Sequence, residues 1–160
     1  EVKDAEKQGY KFVHPFDGVH TLQGSATLGL EIVNQINDMD AKIDNVLISV
    51  GGGGLISGVG VILKQYFPNI KVYVNSIADS LCAPIHMPYS FSIAKQVIDE
   101  MLNITDNDMS EAMIFAHNHL KLFLEPACVA GFAALKKHKH ENFKGQNTLI
   151  LLCGSNIDFQ

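Results

Sequence analysis

Apolar positions along the chain form two kinds of pattern. Short and nearly continuous apolar runs predict buried strands at 45–50, 70–74 and 148–152. Apolar residues at helical spacing predict helices at 28–37, 55–66, 109–122 and 126–135. Strands that alternate with helices in this order are typical of a parallel sheet with right-handed crossovers. We therefore predict an α/β domain built on an open parallel sheet.

Weaker patterns predict further elements. The first nine residues resemble the end of a helix that Gly9 closes, and short strands are expected at 11–14 and 97–102. Residues 20–27 are interpreted as a loop that enters the first long helix, and the helical pattern is lost between residues 75 and 89. Thr105 begins a polar cluster of the kind that caps helix N-termini.

The most informative stretch is the junction of the strand 45–50 with the helix 55–66. Four consecutive glycines, Gly51 to Gly54, separate the two elements, and Gly58 and Gly60 follow in the first turns of the helix. Consecutive residues without Cβ allow backbone N–H groups to converge, and the helix start adds unpaired N–H groups and its dipole. The junction therefore predicts an anion site, with phosphate as the expected guest. An ordinary glycine-rich turn is the alternative. Gly58 and Gly60 predict close packing of the helix against the sheet.

A second loop follows the last predicted strand. Ligands of open parallel sheets lie outside the carboxyl ends of the strands, and Cys153–Asn156 occupies such an end. A thiol and small residues there fit a ring with a polar atom, held away from the phosphate. Cys153 as a small buried hydrophobe is the alternative. Glu125, directly before the helix-start residue Pro126, is either a pocket residue or an exposed one.

Composition narrows the classes of partner. The net charge is −5, and all 12 cationic residues are lysines, so a phosphate site here depends on backbone N–H groups. The acidic balance argues against nucleic acid as a partner. No apolar run has the length of a membrane span, and no cysteine or histidine spacing is typical of zinc. The three scattered cysteines fit a reducing compartment, so we expect a cytoplasmic protein.

The sequence resembles the fold type II pyridoxal-phosphate enzymes, in the serine/threonine dehydratase branch. Six segments carry the resemblance in the family's order: 12–17, 27–31, 50–55, 77–80, 125–127 and 152–156. The resemblance implies a three-layer fold of the tryptophan synthase β type, with helices on both faces of the sheet. It identifies residues 1–160 as a segment of the large cofactor-binding domain. Residues 24–27 depart from the family's Gly-Gln-Gly-Thr pattern.

The resemblance also implies the role of each site residue. Gly51, Gly52, Gly53 and Gly54, with the N–H group of Leu55, are expected to cradle the phosphate of pyridoxal 5'-phosphate. Cys153 replaces the family's Ser or Cys opposite the pyridine nitrogen, a neutral partner that favours β-elimination over transamination. Ser80 is expected beside the cofactor ring, and Glu125 at the border of the substrate pocket. No metal ligand is expected.

The implied reaction is the elimination and deamination of serine or threonine to a 2-oxo acid and ammonia, in a homo-oligomeric lyase. A racemase, a β-replacement enzyme, or a non-catalytic domain that binds a phosphorylated ligand are the alternatives. None of the lysines occupies a matching motif, including Lys64, ten residues after Gly54. We therefore expect the Schiff-base lysine to lie in an N-terminal half outside this chain. The chain by itself is then catalytically inert.

Two boundaries are also expected. Between Val74 and Asn75 the family normally carries a further stretch of strand end, loop and helix, so we expect residues to be missing at this junction. The chain lacks an initial Met and opens within a charged helical pattern, so we expect that residues precede Glu1.

Overall fold

The computed structural model describes residues 2–76, 87–138 and 143–155, and the fold is stated for these ranges. The helices are α1 (Val2–Lys7), α2 (Val19–Asp38), α3 (Gly54–Tyr66), α4 (Pro88–Val97), α5 (Asp106–Phe115) and α6 (Pro126–Lys137). The strands are β1 (Asn45–Ser49), β2 (Lys71–Ser76), β3 (Glu100–Asn103) and β4 (Thr148–Ile150). A π-helical turn, Ala116–Leu120, continues α5.

All four strands are parallel, in the order β3-β2-β1-β4. The side chains of β1 alternate between two cores: Leu47 contacts the core under α5 and α6, whereas Val46 and Ile48 contact the core under α2, α3 and α4. Both faces of the sheet are therefore covered, and the prediction of a three-layer open parallel sheet is confirmed.

The prediction of a strand at 11–14 is wrong. This segment belongs to no strand, and Phe12 and Val13 are largely exposed. The segment pairs with none of the described strands, and its apolar side chains therefore stay largely exposed. The His14 ring contacts the rings of Phe12 and Phe16 edge-on.

The first long helix begins earlier than predicted, at Val19, so residues 20–27 are helical and form no loop. Small residues form the packing contacts of these turns. A Cβ at Gly58 would lie 2.6–2.7 Å from Leu22 O, Ala26 N and Ser25 Cβ, so α2 and α3 approach to backbone distance. Apolar periodicity misses such an interface because Ser and Ala contribute little hydrophobicity.

Gly58 and Gly60 of α3 pack closely, as predicted, but the predicted partner is wrong. Gly58 faces α2, and Gly60 faces Val97 at the end of α4, so both contact helices and not the sheet. The sequence pattern also missed α4 itself and began β3 three residues too early. The strand starts at Glu100 because Val97 still belongs to α4, where it is buried.

Candidate functional site

The cavity that concerns function lies at the carboxyl ends of β1 and β4. It has a volume of about 330 Å³. Its walls come from the start of α3, the loop after β4, the start of α6 and the segment before α2. The lining residues are Pro15, Phe16, Ser25, Ser49, Val50, Gly51, Gly52, Gly53, Gly54, Leu55, Ile56, Glu125, Ala127 and Cys153.

The glycine loop forms one wall and requires glycine for two reasons. Gly53 is the N-cap of α3 and has a φ of +90°, which favours glycine. Gly52 and Gly54 lie against Phe16, and a Cβ on Gly54 would come 2.8 Å from the Phe16 carbonyl oxygen. At Gly52 and Gly54 the loop therefore lies too close to Phe16 for a side chain.

The N–H groups of this loop are available to a ligand. In the described part of the chain, the hydrogen bonds include none that the N–H groups of residues 51–56 donate. The first N–H inside the helix that finds an acceptor is that of Ser57, which donates to Gly53 O at 3.1 Å. A series of unpaired N–H groups at a helix N-terminus is a preformed anion site.

Cys153 lies at the mouth of the same cavity, and its thiol is neutral. Partial burial raises the pKa of the Cys153 thiol, and the neighbouring thiol of Cys128 and carboxylate of Glu125 raise it further. Cys128 itself is completely buried in the core under α6. The group that the loop after β4 offers to the cavity is therefore a protonated thiol.

Glu125 contacts the loop after β4 directly. Its N–H group lies 3.4 Å from Gly154 O, and its carboxylate lies where a Cβ of Gly154 would stand. The N–H groups of Cys128 and Val129 donate to Glu125 O, so Glu125 stands at the start of α6. The same residue also lines the cavity. Glu125 is half-buried, and its role in a substrate pocket stays a prediction.

The structure thus brings together Gly51–Gly54, Leu55, Glu125 and Cys153 around one cavity. Ser80 and Asn156 lie outside the described residues. Phe16, Ser25 and Ser49 also line the cavity, and sequence reasoning missed them. Phe16 belongs to the segment 12–17 that carried the family resemblance, which was the available signal.

A larger cavity of about 530 Å³ lies at the opposite edge of the sheet, where the strands begin. Asp99 lines it and accepts hydrogen bonds from Lys64 at 2.5 Å and from Val72 N at 2.7 Å. Against the effect of partial burial, these bonds and Lys71 hold the pKa of Asp99 below its usual range. Lys64 is thus the ion-pair partner of Asp99, at the far end of α3 from the glycine loop.

Fold and cavity together define a parallel α/β domain with an anion-binding loop at the carboxyl ends of its strands. A family model described as "Pyridoxal-phosphate dependent enzyme" matches residues 1–154. The chain belongs to this family.

Relatives with assigned names agree with this membership. The chain is 34% identical to the phenylserine dehydratase of Ralstonia pickettii, over 95% of this chain and 53% of that protein. It thus spans about half the length of that relative. The crystal structure of a threonine deaminase from T.th. matches 100% of the chain and 67% of that protein, with a TM-score of 0.89 and 26% identity. Serine racemase from Dictyostelium discoideum matches 99% of the chain and 57% of that protein, with a TM-score of 0.85 and 27% identity.

Two further observations concern the described ranges. No helix there is long and apolar enough to cross a membrane. Within the same ranges, no group of three or more His, Cys, Asp or Glu residues is arranged to hold a metal ion.

Proposed function

We propose that the protein to which this chain belongs is a pyridoxal-phosphate-dependent lyase that converts serine or threonine to a 2-oxo acid and ammonia. The observation that carries the proposal is the single cavity in which unpaired N–H groups of the glycine loop and the neutral thiol of Cys153 meet. The names of the similar proteins, a phenylserine dehydratase and a threonine deaminase, indicate the reaction class.

The residues of the cavity fit the cofactor. The phosphate needs hydrogen-bond donors and no side chain in its space, and the loop around Gly53 supplies N–H groups where a Cβ on Gly52 or Gly54 would strike Phe16. The pyridine nitrogen needs a polar partner, and Cys153 faces the same cavity. In this chain, Gly51–Gly54 and Leu55 would hold the phosphate, Cys153 the ring nitrogen, and Ser80 the side of the ring.

When bound, the cofactor supplies the capacity to delocalise charge from the substrate's α-carbon. The protein's residues orient the cofactor and the substrate, and they select the reaction. A protonated Cys153 thiol adds no positive charge at the ring nitrogen, which favours elimination of the β-hydroxyl over transamination. Glu125 places a carboxylate at the border of the cavity, where it contacts the loop after β4 and faces the substrate.

A racemase on the same scaffold is the second candidate. The TM-score with Dictyostelium discoideum serine racemase, 0.85, is slightly below that with the threonine deaminase, 0.89, and the sequence identity is 27% against 26%. Racemisation and elimination both begin with removal of the α-proton, so the residues that hold the phosphate and the ring serve both. Analysis of the products from serine separates them: a racemase gives D-serine, whereas a lyase gives pyruvate and ammonia.

The chain's domain organisation is part of the proposal. We expect residues 1–160 to be a segment of the large cofactor-binding domain, with the Schiff-base lysine in residues that precede Glu1. A gap at the junction of Val74 and Asn75 agrees with two observations. The alignment with the phenylserine dehydratase extends over 176 positions, whereas the chain has 160 residues. The side-chain amide of Asn75 is completely buried and has no hydrogen-bond partner in the described structure, an arrangement that costs about 1–3 kcal/mol.

Compartment and partners follow from the same considerations. The free thiols of Cys128 and Cys153 support a reducing compartment, and we expect the cytoplasm. The expected partners are a small amino acid as substrate and further copies of the protein in a homo-oligomer.

The test uses the full-length protein with Gly53→Ala, and with Gly145→Ala as matched control. Both glycines have positive φ, of +90° and +75°. A Cβ on Gly53 would make ordinary contact with Ser90 at 3.6–3.7 Å and a Cβ on Gly145 would meet nothing within 4 Å, and Gly145 lies outside the cavity. The strain costs about 1–2 kcal/mol in either variant. We expect Gly53→Ala to weaken pyridoxal 5'-phosphate binding about tenfold, and Gly145→Ala to leave it unchanged. Equal cofactor affinity in the two variants, or no release of 2-oxo acid from serine or threonine by the unmodified protein, would contradict the proposal.

A further inference from the structure

We propose that Ser90 is a positioning residue of the phosphate site: from outside the cavity, it fixes the glycine loop in the conformation that binds phosphate. The inference deepens the proposed function and rests on it. Ser90 lies in the first turn of α4 and is completely buried. It does not line the cavity, whereas Gly51–Gly54 do.

The hydroxyl of Ser90 contacts the loop at the carbonyl of Gly52. Its Oγ donates to Gly52 O at 3.2 Å and also lies 3.3 Å from Met87 O. In a trans peptide, the carbonyl oxygen and the following N–H group point in opposite directions. A Gly52 carbonyl held toward α4 therefore directs the Gly53 N–H group away from α4, to the side of the loop where the cavity lies.

Ser90 is itself held at both of its backbone polar groups. Its N–H group donates to Asp17 Oδ1 at 2.6 Å, and its carbonyl accepts a hydrogen bond from Ser57 Oγ at 2.8 Å. Asp17 follows Phe16, which fills the space beside Gly52 and Gly54, and Ser57 lies in the first turn of α3. The contacts of Ser90 thus join the three segments that surround the loop.

A loop of four glycines needs such external support. Glycine has the greatest backbone freedom of any residue, so the sequence Gly51–Gly54 does not stiffen itself. Phe16 restricts the loop by steric contact with Gly52 and Gly54, and Ser90 restricts it by a hydrogen bond to Gly52 O. The loop's N–H groups are then preorganised for the phosphate before it arrives.

The experiment compares cofactors with and without phosphate. Full-length protein is freed of cofactor and titrated with pyridoxal 5'-phosphate and, separately, with pyridoxal. Ser90→Ala removes the hydroxyl, Ser90→Cys keeps the shape with a much weaker donor, and Ser90→Thr keeps the hydroxyl. Ser92→Ala is the matched control, because Ser92 lies on the same helix and is exposed, with its Oγ bonded to Tyr89 O.

We expect Ser90→Ala to weaken pyridoxal 5'-phosphate binding about tenfold, the effect of one lost hydrogen bond, and to leave pyridoxal binding within about twofold. Ser90→Cys should show the same selective loss to a smaller degree, which keeps the test valid if Ser90→Ala does not fold. Ser90→Thr should restore most of the affinity, and Ser92→Ala should match the unmodified protein.

Two results would overturn the role of Ser90 and leave the proposed function intact. One is an unchanged affinity of Ser90→Ala and Ser90→Cys for pyridoxal 5'-phosphate. The other is an equal loss for both cofactors, which indicates a general structural role. Failure of the unmodified protein to bind pyridoxal 5'-phosphate would overturn both proposals.

Discussion

At the scale of single residues, position decides what a side chain can do. Cys128 and Cys153 are both free thiols beside Glu125, yet Cys128 is sealed in the core and Cys153 reaches the cavity mouth. Ser90 bonds the glycine loop from α4, whereas Ser92, two residues later, is exposed. Burial and neighbours, more than residue type, separate the residues that can act on a ligand from those that support the fold.

The two thiols therefore differ in reactivity. We expect maleimide to label Cys153 much faster than Cys128 in the native protein, with the rate followed at each site by peptide mass spectrometry. Because burial raises the pKa of the Cys153 thiol, its labelling should keep rising with pH beyond the range of an ordinary thiol. Bound pyridoxal 5'-phosphate should slow labelling at Cys153. Equal labelling of both thiols, or no protection by the cofactor, would contradict this assignment.

The candidate site was predictable from sequence where its residues follow strand ends. Gly51–Gly54 and Cys153 follow predicted strands, whereas the family resemblance placed Glu125 at the pocket, and all of them line one cavity. Phe16 and Ser90 were not assigned to it. Their contacts with the loop span many residues of sequence, and a lone Ser or Phe carries no local signal of a partner so distant.

At the scale of elements, helix ends and helix contacts carry much of the local stability. Helix α5 begins with a capping box, in which Thr105 Oγ1 accepts from Asp108 N at 3.2 Å and Asp108 Oδ2 accepts from Thr105 N at 2.8 Å. Lys137, the last residue of α6, donates to the same carboxylate oxygen at 2.8 Å. One carboxylate thus ties the start of α5 to the end of α6.

The contacts of Asp108 with Thr105 and Lys137 depend on pH. The hydrogen bond from Lys137 and those from Thr105 lower the pKa of Asp108 to about 2. A carboxyl group with a lowered pKa stabilises the fold above its ordinary pKa and loses that effect as pH falls toward the lowered value. We expect Asp108→Asn to reduce the free energy of unfolding by about 0.5–1 kcal/mol at pH 7. The difference should shrink between pH 4 and 2.

Urea unfolding at several pH values measures this effect. Asp106→Asn is the control, because Asp106 lies in the same first turn and takes no part in the capping box. A constant difference between Asp108→Asn and the unmodified protein from pH 7 to pH 3 would show that the carboxylate charge is not responsible.

The contact of α2 with α3 depends on the absence of a side chain at Gly58. A Cβ there would meet backbone atoms at 2.6–2.7 Å, which cannot move without shifting a helix. We expect Gly58→Ala to lower the free energy of unfolding by about 1–3 kcal/mol, the usual cost of overpacking. Gly24→Ala, in α2 with open space at its Cβ, should have no destabilising effect. Equal stability of the two variants in urea would contradict this packing.

The elements were predictable where one strong pattern decides them. The apolar runs of β1, β2 and β4 and the periodic faces of α3, α5 and α6 agree with the structure. The segment 11–14 has the apolar content of a strand, but pairing needs a neighbour that the local sequence does not describe. The start of α2 and the whole of α4 rely on small or polar residues, such as Ser25 and Ser90, at their contacts.

At the scale of the whole molecule, the sheet brings distant parts of the chain to one edge. Strand β1 lies between β2 and β4, and the loops after β1 and β4 therefore share the carboxyl end of the sheet. This arrangement assembles the two ends of the cofactor site from residues about a hundred positions apart. Lys64, by contrast, is bonded to Asp99 at the other edge.

Under the proposed function, the chain alone holds the cofactor site, and we expect the lysine that bonds the cofactor to lie outside it. We expect the purified 160-residue chain to release no 2-oxo acid from serine or threonine in the presence of pyridoxal 5'-phosphate, and the full-length protein to release it. A dehydrogenase-coupled assay for the 2-oxo acid provides the measurement. Turnover by the isolated chain would show that one of its own lysines performs the role.

The pairing of β1 with β4 also has a consequence for the order of folding. Asn45 and Thr148, which are partners in the sheet, are separated by 103 residues, whereas β1 and β2 are consecutive strands with only α3 between them. Long loop closure carries the larger entropic cost, so we expect β1, α3 and β2 to associate first and β4 to join late. During synthesis, the glycine loop therefore leaves the ribosome well before the loop after β4, which forms another wall of the cavity.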